Sequence, residues 1–211
     1  MGSPPKRPSV SCGAMNIRYY PRPFRPKLML LLSVLLVGSS CKKLSEAISP
    51  GLPEATQEGK NTFGCRVNNN VWLPHTEHVV DSPVETRYSG AGGPSLEIEA
   101  TRKSVGVNYS RVTLHLDGFT AMQPGTYALN QGTRVIYQDH EAGANDEYRA
   151  EGSMGQGSIT FTKVENGTNT GIGGITTNYT ILSGTFSFTA VSPTSGKTVT
   201  LSDGRFDVKG H

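Results

Sequence analysis

The chain has 211 residues, of which 35% are hydrophobic, and its formal net charge at pH 7 is +3. The first 40 positions hold six basic residues and no acidic residue, so residues 41–211 carry a net charge of −3. Because non-specific binding to nucleic acid depends on a persistent positive surface, this distribution argues against a nucleic-acid partner. The length of residues 41–211 fits one domain that can bury a core.

An apolar segment near the N-terminus, LMLLLSVLLVGSSC at residues 28–41, predicts export and lipidation. Its apolar run is interrupted only by Ser33. The run has about half of the ~20 residues that a membrane-spanning helix needs, which is typical of a cleaved signal. The small residues before Cys41 resemble the lipobox of bacterial lipoproteins, although Gly38 stands where leucine is usual. The resemblance implies that residues 1–40 are a cleaved signal peptide and that a diacylglycerol is attached to the Cys41 thiol.

Two other interpretations of this segment stay open: an uncleaved N-terminal membrane anchor, or an ordinary secretory signal that is cut elsewhere. In either of these cases Cys41 would be an incidental thiol. The start is Met1 or Met15, since the extension before Met15 is long and rich in proline for a signal. Stable anchoring needs more than one acyl chain, which lipoprotein processing supplies.

Residues 41–61 are predicted to be a flexible tether, and residues 62–211 a single β-rich domain. Pro50, Gly51 and Pro53 prevent a long helix in the tether. Such a segment would let the domain stand away from the bilayer surface.

Cysteine usage agrees with export and predicts no intramolecular disulfide. Cys12 lies in the segment that would be removed and Cys41 would carry lipid, so Cys65 is left alone. Cys65 is interpreted as a small buried side chain on the first strand, because it shares a period-two face with Phe63 and Val67. The alternative is a reactive thiol.

The first two strands are predicted to form a hairpin, since two short alternating runs flank three asparagines at residues 68–70. Asparagine tolerates the left-handed backbone of a tight turn. Trp72, the only tryptophan, has two interpretations: an exposed stacking platform for a sugar ring, or a core residue. The core interpretation is favoured, because a large aromatic side chain supplies much of the area that a small domain can bury.

Alternating runs separated by turn residues continue to the C-terminus. In RVTLHLDGF the pattern places Val112, Leu114 and Leu116 on the core face and His115 on the solvent face. The same alternation predicts core positions at Ile159, Phe161, Phe186, Phe188 and Ala190. Residues 168–177, TNTGIGGITT, are predicted to be a glycine-rich mobile loop. Strands at intervals of about ten residues, without helical periodicity, predict an all-β fold: an antiparallel β-sandwich, or an open barrel, of roughly nine to eleven short strands.

Three motifs together carry a resemblance to a known family: NTFGCRVNNNVWLP near the start of the domain, then SGTFSFTA, and GKTVTLSDGRFDVKG at its end. They span residues 61–210 and resemble an uncharacterised family of Bacteroidota surface lipoproteins with a domain of unknown function. The resemblance implies a lipid anchor, a β-rich domain and a location in the Gram-negative envelope, at the outer membrane. It implies no activity and no catalytic residue. Lys42, next to Cys41, leaves open whether the domain faces the periplasm or the cell surface.

His75 and His78 in HTEH are weak candidates for metal ligands, with Glu77 between them. A zinc site of the metalloprotease kind places two histidines four residues apart on a helix. Here the spacing is three, and Pro74 precedes the pair. The favoured interpretation is an exposed pair of histidines after a strand, and no cofactor is predicted.

The acidic residues within residues 139–147 also have two interpretations. Two carboxylates can hydrolyse a glycoside when they are held ~5 to 9.5 Å apart across a sugar, but sequence neighbours give no such assurance. A solvated turn is favoured, since the ligand spacing of a calcium loop is absent. Nucleotide and serine-hydrolase motifs fail: SGKT lacks the required first glycine, GIGG lacks the third, and GxSxG does not occur.

Two functional classes are therefore open for the domain. The first is a lipid-anchored binding or interaction module of unknown molecular activity, which contacts glycan or an envelope protein. The candidate ligand contacts are Trp72, Tyr137 and Asp139. The aromatic residues expected on an exposed sheet face are Tyr88, Tyr109 and Tyr137. The alternative is a hydrolase of an envelope or dietary polymer, with a site built from residues 75–81 and 139–147. The sequence indicates no particular oligomeric state.

Overall fold

The computed structural model describes residues 51–77, 81–89, 95–103, 108–118, 123–130, 132–141 and 145–210. Within these ranges the secondary structure is almost entirely antiparallel β-strand, and none of them contains a helix that could cross a membrane. The strands are β1 Thr62–Val67, β2 Asn70–Trp72, β3 Val84–Ser89, β4 Ser95–Lys103, β5 Tyr109–Asp117, β6 Gly125–Ala128, β7 Thr133–Asp139, β8 Asp146–Ala150, β9 Gln156–Thr170, β10 Thr176–Val191 and β11 Thr198–Gly210.

The strands divide into two portions of an unclosed sheet, as expected of a β-sandwich. One portion, which we call the β5 portion, has the strand order β3–β4–β5–β7–β8. The other, which we call the β10 portion, has the order β2–β1–β11–β10–β9–β6. Within the described residues, β8 and β10 join the two portions through a single pairing of Arg149 with Val191. The prediction of an all-β antiparallel fold is confirmed.

One hydrophobic core contains side chains from both portions. Val112, Leu114 and Leu116 of β5 are at most 3% exposed, which confirms their predicted face, and His115 lies on the opposite face. In the β10 portion the core is aromatic: the ring centroids of Phe186 and Phe188 are 5.7 Å apart. The other predicted core positions are buried as well, namely Ile159, Phe161 and Ala190.

The first hairpin forms as predicted. Cys65 of β1 pairs with Trp72 of β2, and the turn between the strands has Asn68 and Asn69 at φ of 47° and 70°. Asparagine accepts this left-handed backbone more readily than most residues. Cys65 is completely buried, and burial raises the pKa of its thiol to about 12, so its interpretation as a core residue is confirmed.

Residues 51–61 belong to the folded domain, which corrects the predicted boundary of the tether. Gly51 lies beside the Val71 side chain, and the Pro53 carbonyl oxygen accepts a hydrogen bond from the Arg205 guanidinium at 3.0 Å. These contacts show that residues 51–60 run along β1 in the opposite direction, starting near the Asn68 turn. The absence of helix propensity, on which the tether prediction rested, does not prevent extended packing. Residues 1–50, which include Cys41 and the predicted signal, lie outside the described residues.

A buried carboxylate at Asp207 in β11 holds this segment. Asp207 is 1% exposed. Its oxygens accept hydrogen bonds from Thr56 Oγ1 at 2.6 Å, from the main-chain N–H groups of Glu58, Gly59 and Lys60 at 3.1, 2.8 and 3.2 Å, and from Ser183 Oγ at 2.7 Å. The segment is therefore fixed to β11 by an acceptor that a free tether would lack.

The glycine-rich segment at residues 168–177 is a hairpin, and the prediction of a loop is wrong. β9 and β10 pair as far as Thr170 and Thr176, so the turn is confined to residues 171–175. At this end of the sheet, the pairing between β10 and β11 stops at Thr180. Beyond it the two strands form a two-stranded ribbon, and we call residues 166–180 the arm. Pairing that is already established in the body extends outwards, which overrides the weak strand propensity of glycine and asparagine.

Candidate functional site

An ion pair between Arg102, near the end of β4, and Glu141, after β7, organises one end of the β5 portion. Arg102 Nε donates to Glu141 Oε1 at 2.8 Å, and Nη2 donates to Oε2. Ser110 Oγ donates to the same Oε1 at 2.7 Å, and it accepts a hydrogen bond from Trp72 Nε1 at 2.8 Å. We call these four residues the Arg102 cluster. It links β2, β4, β5 and the segment after β7.

The two charges of the cluster stabilise each other. The hydrogen bond from Arg102 lowers the pKa of Glu141, with a further contribution from Ser110, although partial burial opposes the shift. The hydrogen bond to Glu141 likewise raises the pKa of Arg102. Both groups are therefore charged at neutral pH and engaged with each other, in a bidentate geometry that suits guanidinium and carboxylate. This arrangement holds strands together and offers neither group as a proton donor or acceptor for a substrate.

Two of the three candidate ligand contacts are buried. Trp72 is 1% exposed and Tyr137 is 4% exposed. The burial of Trp72 confirms its interpretation as a core residue, so the exposed-platform alternative is wrong. The Arg102 guanidinium lies 5.9 Å from the centroid of its ring. Tyr137 was expected on an exposed face, and this is wrong too, because it shares the inward face of β7 with Val135. Burial raises the pKa of the Tyr137 phenol.

The third candidate, Asp139, shapes the backbone beside the cluster. Its Oδ1 accepts the main-chain N–H of Glu141 at 3.0 Å, which helps to position the Glu141 side chain. Farther along, Glu147 accepts hydrogen bonds from Arg149 Nε at 2.6 Å and from Gln138 at 3.0 Å. The hydrogen bond from Arg149 lowers the pKa of Glu147. These carboxylates are thus distributed over separate ion pairs and hydrogen bonds.

His75 is held beside the cluster by its main chain. Its N–H donates to Thr101 O at 3.1 Å, its carbonyl accepts from Lys103 N at 2.9 Å, and it forms an isolated parallel bridge with Arg102. His78 lies outside the described residues. Within the described ranges, no group of three or more His, Cys, Asp or Glu side chains could hold a metal ion. The favoured interpretation, an exposed pair of histidines that holds no metal, stays a prediction.

The two loops that the hydrolase alternative requires do approach each other here. His75 adjoins Arg102, and Arg102 binds Glu141. Ser110, the hydroxyl bonded to that carboxylate, is completely buried. A polymer therefore has no access to it as a nucleophile, and the cluster is better suited to stabilising the domain than to catalysis.

Replacing Glu141 by glutamine is expected to lower the free energy of unfolding by ~1 to 3 kcal/mol, because a partly buried Arg102 loses its charged partner. Urea unfolding followed by the fluorescence of Trp72, the only tryptophan, measures this loss. The matched control is Glu97→Gln, which removes a carboxylate from the outer face of β4 and should cost less than ~1 kcal/mol. Equal losses in the two variants would contradict a special role for the cluster.

The outer face of the β5 portion is covered by cross-strand ion pairs. Arg87 Nη1 lies 3.0 Å from Glu97 and 3.3 Å from Glu99, and Arg111 lies 3.4 Å from Glu99. His115, predicted on this face, contacts Asp117 at 2.8 Å. Charges of both signs alternate across the strands, so this face presents no field of a single sign to a ligand.

The outer face of the β10 portion is lined by hydroxyl groups instead. Thr185 and Ser187 of β10 lie beside Thr160 and Ser158 of β9, and they border a shallow groove of about 510 Å³. Its charged lining residues are Asp203 and Arg205. The groove can donate and accept hydrogen bonds, and Phe186, an aromatic residue in its lining, is only 3% exposed.

The arm is the most exposed apolar feature among the described residues. Ile172 at its tip is fully exposed and Ile175 is 70% exposed. Residues 166–196 contain no charged side chain. The base of the arm is well packed, because the Tyr179 ring lies against Gly167, where a Cβ would come within 2.5 Å of the ring, and the Lys209 ammonium lies 3.8 Å from the ring centroid. The arm is therefore a ribbon with a well-packed base and an apolar tip.

A family described as Domain of unknown function (DUF6252) matches residues 91–208, more than half of the chain. The chain belongs to this family. No curated protein and no solved structure matches it. The part that matches DUF6252 contains the arm, the hydroxyl groups that border the groove and the ion pair between Arg102 and Glu141.

The DUF6252 match leaves out part of the structure that completes the domain. β1, β2 and β3 precede the matched residues, and so do residues 51–61. This preceding part supplies Phe63 and Trp72 to the core and the backbone donors to Asp207. We conclude that the folded unit extends well beyond the match, to Gly51 at least.

Proposed function

We propose that this DUF6252 protein is a lipid-anchored lipoprotein of the Bacteroidota cell envelope whose β domain is an interaction module. The observation that carries the interaction role is the arm, where Ile172 is fully exposed and Ile175 is 70% exposed. Soluble domains seldom present clustered apolar side chains on a projection unless a partner binds there. The partner class is a glycan or an envelope protein, and an apolar tip favours protein.

The location is supported by residues 28–41, where a short apolar run and small residues lead to Cys41. On this proposal the mature chain begins at Cys41 and is held to the outer membrane by its N-terminal acyl chains. Residues 41–50 would then be the tether. At most ~3.6 Å per residue, they can span ~36 Å.

The position of the arm is consistent with such an anchor. The described chain begins at Gly51 beside Val71, near the Asn68 turn. The arm projects from the opposite end, since Thr180 at its base pairs with Gly210 at the end of β11. A domain tethered through Gly51 can therefore point the arm away from its attachment.

Replacing Cys41 by alanine is expected to abolish acylation and to remove the protein from the outer-membrane fraction, because a thioether cannot form without the thiol. Mass spectrometry of the mature N-terminus and fractionation of cells measure the two effects. Cys12→Ala is the matched control and should change neither, as residue 12 would be removed with the signal. An unacylated N-terminus in the unmodified protein would overturn the anchor.

A further inference from the structure

We propose that the arm pairs with the arm of a second copy of this chain, so that two ribbons form one four-stranded antiparallel sheet. This inference rests on the interaction role proposed above and does not depend on the lipid anchor. It follows from the edges of the ribbon, its lack of charge and the groove at its base.

Both edges of the arm offer backbone hydrogen-bonding groups. In the body, β6 pairs with β9 at residues 158–161, and β11 pairs with β10 as far as Thr180. Among the described residues, beyond these points the two strands pair only with each other. An edge strand presents a row of N–H and C=O groups that another strand can use. A two-stranded ribbon alone is marginally stable, so further strands would stabilise the arm.

The arm also lacks the devices that normally prevent edge pairing. Residues 166–180 contain no lysine, no other charged residue and no proline. The remainder of residues 41–211 has a net charge of −3, so two copies carry a small net repulsion outside the arm. Identical uncharged arms can approach without that repulsion. This property favours a second copy over a partner that would be selected by charge.

Antiparallel pairing would place the tip of each arm beside the base of the other. A groove of about 440 Å³ lies at the base, lined in part by Gly167, Tyr179 and Gly210. Ile172 at the tip of one copy would reach this groove of the second copy and be covered by it. The arrangement is isologous: the same surface is used on both copies, as in most homodimers.

Single cysteines in the arm test the pairing in membranes of cells that express the full chain. Under two-fold antiparallel pairing of the two β9 edges, a residue near the axis meets its own copy at ~4.5 to 5.5 Å between Cα atoms, which suits a disulfide. Thr168→Cys, Asn169→Cys and Thr170→Cys are made one at a time, with Thr185→Cys on the exposed face of the body as the control. After oxidation, at least one arm position should give about tenfold more cross-linked dimer than the control on a non-reducing gel. The native cysteines are common to every variant, so any cross-link through them appears equally in the control, and Cys65 is buried.

Charge in the arm tests the same pairing without a cross-link. Sedimentation velocity of the full chain in mild detergent should show a dimer for the unmodified protein and for the control Thr185→Lys/Ser187→Lys. Thr168→Lys/Thr170→Lys should be monomeric, because like charges would face each other across the paired arms.

The proposal is overturned if the unmodified chain is monomeric at every concentration, or if no arm cysteine exceeds the control. A monomeric chain whose arm binds lipid vesicles or another envelope protein would also overturn the proposed pairing. Acylation of Cys41 in the same protein would leave the proposed lipid anchor unaffected.

Discussion

Replacing Asp207 by alanine is expected to lower the free energy of unfolding by about 3 to 4 kcal/mol. The carboxylate is 1% exposed and accepts hydrogen bonds from two hydroxyl groups and three main-chain N–H groups. Without it several of these donors lose their only acceptor near the core, and each buried donor left unsatisfied costs about 1 to 3 kcal/mol. Urea unfolding followed by circular dichroism measures the loss. The same variant should also make residues 51–60 exchange amide hydrogens faster, since they lose their contact with β11.

Two further variants make this result specific. Asp207→Asn keeps the shape but replaces one accepting oxygen with an amide that faces other donors, so it should lose about 2 kcal/mol. Glu165→Ala removes a carboxylate from an exposed ion pair with Lys163 and should cost less than ~0.5 kcal/mol. A loss below ~1 kcal/mol for Asp207→Ala would show that residues 51–60 are not held through this carboxylate.

Asp207 should also make stability depend on acid pH. Burial raises its pKa, but the hydrogen bonds from Thr56, Ser183 and Gly59 outweigh burial and lower it from 3.8 to about 2. A folded-state pKa below the unfolded one gives stability that is present above pH ~4 and is lost as pH falls through 2. The shift corresponds to about 2 kcal/mol. The unmodified protein should lose that much more than Asp207→Asn between pH 5 and pH 2, and parallel pH profiles would contradict the assignment.

Replacing Phe188 by alanine is expected to cost ~3 to 5 kcal/mol of the free energy of unfolding, because it removes a large ring from a packed core and leaves a cavity. Phe188 is 2% exposed, its centroid lies 5.7 Å from that of Phe186, and its strand partner on β11 is Leu201. Urea unfolding gives the value. Ser187→Ala, one position earlier on the exposed face of β10, is the control and should change stability by less than ~0.5 kcal/mol. A loss below ~1 kcal/mol for Phe188→Ala would contradict its place in the core.

The predictable part of the fold is the part that depends on local alternation. Phe188 and Leu114 are buried as their period-two runs indicate, and Asn68 and Asn69 form the turn that their backbone tolerance indicates. A strand directs successive side chains to opposite faces whatever its neighbours are, so these assignments need no tertiary information. Tyr137 escaped this reasoning because it was assigned by its chemical type, and the inward alternation of β7 decided its place.

The candidate site could not be assembled in the same way. Trp72 and Ser110 are 38 positions apart, and Arg102 and Glu141 are 39 apart, so their contacts depend on how β2, β4 and β5 are arranged. The arm was hidden by composition, because glycine and asparagine are typical of loops when no neighbouring strand is considered. The two isoleucines of that segment, Ile172 and Ile175, were the available signal, since a solvated loop gains nothing from apolar side chains.

The sequence by itself determined the class of fold, the faces of most strands and the apolar segment that leads to Cys41, because each depends on residues close together in the chain. Only the tertiary structure decided where the folded domain begins, which strands meet, and that residues 166–180 project as a ribbon. The hydrogen bond between Gly59 and Asp207 joins residues 148 positions apart. Such a contact forms only when strand order and register bring both groups to one place, and a one-residue shift in register would turn the Asp207 side chain to the other face.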